Sequence, residues 1–421
     1  MRLLSRLAPV KASEERTLHF GFLAFFLVFT AWYMIRPVRE ALGIARGAGD
    51  LPWLMIATVV ATLFANPLFS RLATRWPRHV LARRIYRFLA LNLIGFHLVL
   101  VVFPSALGID EGLRIGIGYG LFVWVSIFSL LIGSLLWSLC SEAFAPEAAG
   151  RLFGLFAAAC SLGGLVGASI TGFLATRLDE PLHVLLPAAV LLELAARASQ
   201  HIPKQDTDSQ AEQPLPGTAF EGLALTARSP YLLGISGYIL SYTITGTLAY
   251  LIQGAVIDAL ALDLGSDIQR FAWLDQMTSA ATLVVQLFCV LHVVRRAGVG
   301  LCLASLPLVF ALGFGILWAF PVYAVLATFQ VVRRVTNYGL AKPAREMLFT
   351  PLARAEKLKA KNLIDLFVYR TGDTLGSLLH IALTSLGIGI AGIAGIAVPL
   401  SLAWLGATPL LGRAFRSRTR R

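Results

Sequence analysis

The chain has 421 residues, of which 57% are hydrophobic and only 14% are charged, and its mean hydropathy is +0.74. A water-soluble protein of this length needs far more polar surface, and no long polar stretch is left to form a separate soluble domain. The formal net charge of +13 does not indicate nucleic-acid binding, because the basic residues lie in alternate connections between apolar runs.

The apolar runs predict an all-α membrane protein. A membrane-spanning helix needs about 20 predominantly apolar residues, whereas the alternating ten-residue strands of a membrane barrel are absent from the sequence. We therefore predict twelve transmembrane helices. In chain order they are 17–41, 52–74, 82–105, 113–141, 150–176, 182–200, 229–259, 268–292, 298–318, 321–341, 360–386 and 391–412.

A polar stretch, residues 201–228, divides these spans into two groups of six, because it contains prolines and lacks apolar periodicity. The predicted domains are a tail (1–16), an N-terminal six-helix bundle (17–200), an inter-bundle loop (201–228), a C-terminal six-helix bundle (229–412) and a basic tail (413–421).

The basic residues predict the orientation. Most Lys and Arg side chains lie in the two tails, the central loop and every second connection, so the positive-inside rule makes both termini cytoplasmic. The basic turns after the second and eighth spans occupy equivalent places, so the halves repeat one plan. This plan fits two six-helix pseudo-repeats of the major facilitator type, with a solute site near mid-membrane between them. We expect an integral protein of a bacterial inner membrane.

Charges near the end of the first span are the first candidate site. Arg36 and Arg39 share a helix face, and Glu40 is four residues from Arg36 and can pair with it. Holding a charged side chain at the bilayer centre costs at least about 2.5–3.5 kcal/mol. Both arginines are thus predicted to bind or gate an anion, although extension of their side chains to the outer headgroups stays an alternative.

The eleventh span carries a polar stripe of Asp365, Tyr369 and Asp373 at four-residue spacing. By helical rise from Lys361, Asp365 lies about 6 Å deep and Asp373 about 18 Å deep. Arg370 is three residues before Asp373 and can pair with it. This pair either exchanges its partner for a solute or a proton, or only locks the helix to a neighbour.

Arg333 and Arg334 interrupt the tenth span. Adjacent helical residues point about 100° apart, so one arginine at most faces a cavity squarely. The other is expected to meet a carboxylate on a neighbouring helix, with Asp275 and Glu193 as the candidates.

Other chemistry finds little support in the sequence. The four cysteines are single and have no metal-ligand spacing, and no nucleophile triad or phosphate-binding loop is evident. We predict no enzymatic activity, no metal and no cofactor. The expected partners are a small anionic solute and the lipid bilayer, without nucleic acid or an obligate protein partner.

Several stretches resemble the bacterial and plastid ATP/ADP translocases. Residues 338–352, YGLAKPAREMLFTPL, and residues 361–365, KNLID, are similar to that family's YSLFD, KEMAYIPL and KGKAAID. Residues 35–40, IRPVRE, resemble its LRxxKD. Residues 137–142, WSLCSE, and 151–156, RLFGLF, resemble its WxFANE and RFYxLF, and SPYL at 229–232 fits as well.

The resemblance implies a twelve-helix major facilitator fold and nucleotide antiport, and it adds Glu142 and Arg151 to the residues that carry over. The chain departs from the family in three places. Residues 370–373 read RTGD where the family has RLGK, residues 247–254 are uncharged where it has an acid and a lysine, and Lys342 replaces an aspartate.

The predicted function is therefore secondary active transport of an organic anion by alternating access, with nucleotides among the candidate solutes. A smaller or less charged solute fits the departures, and so does a proton-coupled exporter or importer that uses Asp373. A third alternative is a non-transporting membrane scaffold. The predicted substrate-binding residues are Arg36, Arg39, Glu142, Arg333, Asp365, Arg370 and Asp373.

Overall fold

The computed structural model describes residue 11 and residues 14–144, 146–202, 219–288 and 290–419. Across these residues the secondary structure is helical and no strand is present, which confirms the all-α fold class. The α-helices are α1 Glu15–Gly43, α2 Leu51–Arg75, α3 Arg78–His97, α4 Glu111–Ala143, α5 Pro146–Leu174, α6 Leu185–Gln200, α7 Ala219–Arg228, α8 Pro230–Asp258, α9 Leu264–Phe288, α10 Val290–Ala319, α11 Tyr323–Thr336, α12 Lys342–Met347, α13 Arg354–Leu363, α14 Tyr369–Ser385 and α15 Ile390–Thr419.

Wider π-helical turns follow three of these helices. They span Leu98–Val102 after α3, Asn337–Ala341 after α11 and Ile364–Val368 after α13. The second of them leads into α12 at Pro343, which has no N–H to donate to the carbonyl four residues earlier. Such turns within helices are rare and occur often at functional sites. The turns Asn337–Ala341 and Ile364–Val368, which lie near charged residues of the second unit, therefore mark a candidate functional region.

Nine helical stretches in the described part of the chain are long and apolar enough to cross a membrane, and they coincide with nine of the predicted spans. The other three predicted spans, 268–292, 321–341 and 360–386, fall on helices that carry the interior charges. The tenth and eleventh are also interrupted by π-helical turns, so α11 has only 14 residues and α14 only 17. The charged residues lower the apolar signal of these three segments.

The helices pack into two compact units. The first unit comprises the described residues within Met1–Asp50, Val60–Thr207 and Ala261–Leu283, and the second those within Leu51–Val59, Asp208–Leu260 and Val284–Arg421. Thus α2 contributes its first nine residues to the second unit, and most of α9 belongs to the first. The sequence-predicted domain boundaries, which follow chain order and the membrane, remain predictions.

Close contact between α1 and α5 organises the first unit. Gly163 and Gly167 of α5 lie against the backbone of α1, where an added Cβ at Gly167 would overlap with the carbonyl oxygen of Thr30. The Thr171 hydroxyl donates to the Met34 carbonyl oxygen at 3.1 Å. Small residues at such positions let two helix backbones approach closely.

The second unit has an aromatic core and its own close helix contact. Phe310, Phe329 and Trp404 pack together, and the Tyr238 hydroxyl donates to the Leu303 carbonyl oxygen at 2.9 Å. Gly376 of α14 lies against Thr247 of α8. The packing of α14 on α8 brings the polar residues of both helices together.

Candidate substrate-binding site

Four charged side chains form what we call the first-unit charge cluster: Arg36, Arg39, Glu40 and Asp275. The last turns of α1 present the first three at the predicted spacing, and α9 supplies Asp275. Arg36 Nη1 donates to Asp275 Oδ1 at 2.8 Å, and Arg36 Nε lies 3.7 Å from Glu40 Oε1. The predicted pairing of Arg36 with Glu40 is confirmed. The carboxylate of Asp275 therefore meets an arginine of α1, 239 positions earlier in the chain.

The same cluster holds Arg39 inside the unit. Its Nη1 donates to Glu40 Oε1 at 3.0 Å, its Nε donates to the Phe122 carbonyl oxygen, and its guanidinium lies 4.0 Å from the centre of the Phe122 ring. Both carboxylates are 4% exposed, whereas the Arg36 side chain is 19% exposed. Two cations thus balance two buried carboxylates, and Arg36 is the most accessible member of the cluster.

Arg333 and Arg334 lie buried in the second unit and point in different directions, as their adjacency on α11 predicted. Arg333 donates through Nε and Nη2 to Gln330 Oε1, at 3.0 and 2.6 Å, and its guanidinium lies 5.5 Å from the Phe310 ring centre. Arg334 Nη2 donates to Gln253 Oε1 of α8 at 3.1 Å. Glutamine side chains thus accept from both guanidinium groups, Gln330 on α11 itself and Gln253 on α8.

Arg370 and Asp373 form the predicted ion pair at the start of α14. Arg370 Nη1 lies 3.4 Å from Asp373 Oδ2, and the Thr247 hydroxyl donates to Asp373 Oδ1 at 3.4 Å. Both separations are long for hydrogen bonds of this type. The Arg370 and Asp373 side chains are 22% and 24% exposed. This loose, partly accessible pair can exchange a partner at lower cost than a short, sealed one.

Asp365 lines a cavity of about 440 Å³ within the second unit. The π-helical turns at Asn337–Ala341 and Ile364–Val368 both contribute to its wall. The charged side chains around it are Lys342, Arg345, Glu346, Lys361 and Asp365, and the aromatic ones are Tyr242, Tyr338, Phe349 and Tyr369. We call this space the second-unit cavity.

Three comparisons with known proteins bear on the fold. The family profile of the Major Facilitator Superfamily matches residues 3–168. Three solved structures cover nearly the whole chain at low identity. A bacterial homologue of the human lysosomal transporter Spinster has a TM-score of 0.58 and 14% identity, covering 98% of each chain. A variant of the nucleoside transporter NupG has a TM-score of 0.61 and 13% identity, covering 96% of this chain and 99% of its own.

The third solved structure is that of a bacterial metal transporter, with a TM-score of 0.58 and 15% identity, covering 98% of this chain and 100% of its own. The chain has the major facilitator fold. A search of the curated proteins finds no sequence match. Identities of this size establish the fold alone, so the subtype expected from the resemblance to ATP/ADP translocases stays a prediction.

Within this major facilitator fold, the seven predicted site residues fall into separate places. Arg36 and Arg39 belong to the first unit, and Arg333, Asp365, Arg370 and Asp373 belong to the second. Glu142 lies on α4, but its side chain, like that of Arg151, is outside the described part of the chain.

The prediction missed Lys342 and Arg345, which it assigned to a basic connection after the tenth span. The structure places both on α12, at the wall of the second-unit cavity. Arg345 is only 5% exposed, which is unusual for a charged side chain in a connecting segment. The three-residue spacing of two cations was the available signal, but a solvated helix face gives the same pattern.

Proposed function

We propose that the chain is a secondary transporter that moves a small organic anion across the membrane by alternating access, without chemical change to the solute. The Arg370–Asp373 pair carries this proposal. A guanidinium within an apolar bundle is costly, and such residues usually mark solute pathways. Here a long contact to Asp373 is what holds it within the described part of the chain, and it stays partly accessible, so a solute anion can replace the aspartate as its partner.

The other predicted residues receive roles that follow from their surroundings. Arg36, the most accessible member of the first-unit charge cluster, and Arg39 would attract the anion. Arg333 would contribute a fixed positive potential, because glutamine holds its guanidinium in place. Asp373 would neutralise Arg370 when the site is empty, and Asp365 would tune the charge of the second-unit cavity. Glu142 is retained as a proposed site residue from the family resemblance.

The charge of the site, rather than the fold, limits the range of candidate solutes. The structural neighbours are described as transporters of nucleosides and of metal, so this fold serves different solutes. The resemblance to ATP/ADP translocases favours nucleotides, but Asp373 stands where that family has a lysine. An anion with fewer negative charges than ATP suits this exchange. We place the protein in a bacterial inner membrane as part of this proposal, and the distribution of basic residues supports cytoplasmic positions for both termini.

Transport by purified protein in lipid vesicles tests the proposal. The vesicles are loaded with a mixture of nucleotides, phosphorylated metabolites and carboxylates, and counter-flow of each labelled solute is measured. Arg370→Ala should abolish the flux that the wild-type protein supports, while the amount of inserted protein is unchanged. Arg87→Ala is the matched control, because Arg87 forms an exposed ion pair with Glu193 in the first unit. Undiminished flux in the Arg370 variant would refute the assigned role.

Proton coupling is the second candidate, because the contacts of the Asp373 carboxylate to its arginine and threonine partners are both long, at 3.4 Å. In that case an imposed pH gradient should drive net uptake, and Asp373→Asn should remove this response while leaving counter-flow in place. Loss of both activities would instead show that Asp373 maintains the site itself. The scaffold alternative predicts no flux of any solute by correctly inserted protein.

A further inference from the structure

The second-unit cavity has the size of a small-molecule site, and its wall combines charged and aromatic side chains. Its volume of about 440 Å³ lies within the range of about 300–1,000 Å³ that ligand pockets occupy. Its wall combines charged side chains from α12 and α13 with aromatic rings from α8 and α14. Charged side chains make up nearly half of the lining residues, so this cavity is more polar than most small-molecule pockets and suits a charged ligand.

The charges around the cavity do not cancel. Lys361 Nζ lies 2.6 Å from Glu346 Oε2, so these two side chains neutralise each other. Lys342, Arg345 and Asp365 remain, and they carry a formal charge of plus one. A ligand with a single negative charge balances this remainder, whereas the three or four charges of a nucleotide polyphosphate exceed it. A neutral ligand would leave the charge uncompensated.

Arg345 is already positioned by neighbours that do not use its whole donor capacity. Its Nη2 donates to Asn337 Oδ1 at 3.2 Å, and its guanidinium lies 4.5 Å from the centre of the Tyr242 ring. Its Nη1 is buried and has no hydrogen-bond partner in the described part of the chain. A buried charged donor left unsatisfied costs free energy. An oxyanion that accepts a hydrogen bond from Nη1 would remove this cost, which favours its binding.

The aromatic residues of the wall indicate the rest of the ligand. The Tyr242 and Tyr369 rings meet edge to face with their centroids 6.4 Å apart, and Tyr338 and Phe349 also line the cavity. Offset and edge-to-face contacts favour a planar aromatic guest beyond simple area burial. Tyrosine hydroxyls can also donate to a carboxylate oxygen.

We infer that the second-unit cavity binds a small aromatic monocarboxylate, with Lys342 and Arg345 as the cationic partners of its carboxylate. The inference rests on the proposed transport function and names the solute class. Asp365 acts as the residue that limits the charge of the guest, because it removes one positive charge from the site.

Three matched probes separate charge from ring recognition. Benzyl alcohol, benzoate and phenyl phosphate carry the same ring and zero, one and up to two negative charges. A ligand that binds only the folded protein raises its melting temperature. In the purified full-length protein, benzoate should raise the melting temperature at millimolar concentration, phenyl phosphate less and benzyl alcohol not at all. No shift with benzoate or 4-hydroxybenzoate would overturn the inference.

Variants then assign the effect to this cavity. Lys342→Gln should weaken benzoate binding at least tenfold, and Arg345→Gln should weaken it further. Because Arg345 is buried, its glutamine variant can lose stability. The melting temperature without ligand monitors this, and Arg345→Lys provides a charge-preserving second variant with intermediate affinity. Asp365→Asn should make the protein bind phenyl phosphate more tightly than benzoate, by at least threefold. Arg87→Gln, which changes a first-unit residue that does not line the cavity, should bind benzoate normally.

Flux measurements distinguish this inference from the transport proposal. Benzoate binding that depends on Lys342, without benzoate flux in vesicles, would uphold the cavity and defeat transport of that class of solute. Flux of another anion that depends on Arg370 but not on Lys342 or Arg345 would uphold transport and overturn the cavity as its solute site. Benzoate flux that Lys342→Gln and Arg370→Ala both reduce supports the two together.

Discussion

The first-unit charge cluster and the second-unit cavity use similar residues in opposite ways. In the cluster, Arg36 and Arg39 meet Glu40 and Asp275, with two of the contacts at 2.8 and 3.0 Å, and the charges cancel. Among the described residues that line the cavity, the three cations Lys342, Arg345 and Lys361 are accompanied by two carboxylates, Glu346 and Asp365, and space remains beside them.

The difference teaches which buried charges are available to a solute. In a balanced cluster, attraction between the paired charges offsets much of the free energy lost when they leave water. Removing one partner leaves the other charge buried and uncompensated. An unbalanced charge beside an open cavity stays uncompensated until a ligand of opposite charge binds. We therefore expect changes at the carboxylates of the cluster to act mainly on stability, changes at Arg36 and Arg39 to act on stability and on the attraction of the anion, and changes at the cavity to act mainly on ligand affinity.

Removal of Asp275 should give the largest loss of stability. Asp275→Ala leaves the Arg36 guanidinium without its 2.8 Å contact, and breaking a buried pair costs about 3–5 kcal/mol. Thermal unfolding in detergent, compared with the wild-type protein, measures the loss. The double variant Arg36→Met with Asp275→Leu should recover much of it, because Arg39 and Glu40 still balance each other. An equal loss in the double variant would mean that the cluster is not a self-compensating unit.

Close contact between α1 and α5 is a second source of stability in the first unit, and Gly167→Ala tests its contribution. The added methyl group would overlap with the Thr30 carbonyl oxygen, so α1 and α5 must separate, at a cost of about 1–3 kcal/mol. Gly116→Ala in α4 is the control, because no atom lies within 4 Å of its added Cβ. The control should unfold at or slightly above the wild-type temperature. Matching losses in both variants would point to a general intolerance of substitution instead.

The smallest effect is expected at the exposed pair between Arg87 and Glu193. These side chains meet at 2.9 Å but are 47% and 30% exposed, and exposed ion pairs contribute little to stability. Arg87→Ala should therefore leave the melting temperature of the protein and its anion flux unchanged. A clear loss of flux would show that charge outside the proposed sites also controls entry of the anion, and would weaken the contrast between the two regions.

The contrast also shows how far the sequence could be read. The pairs Arg36–Glu40 and Arg370–Asp373 were predicted, because helical geometry alone brings residues three or four positions apart together. The contact between Arg36 and Asp275 was not predicted, and neither was the place of Arg345 beside Tyr242. Both join helices that are far apart in the chain, and nothing in local spacing selects one partner among several carboxylates or rings.

The sequence by itself determined the all-α class, the positions of the helices and the presence of charged residues within them, because hydropathy and helical periodicity are local properties of the chain. Only the tertiary structure decided which of those charges are compensated. Compensation depends on which helix faces pack together, and this is set by the close approach of glycines such as Gly167 and Gly376 to neighbouring backbones. The same packing left a polar cavity beside Arg345, where the sequence had indicated only a basic connection.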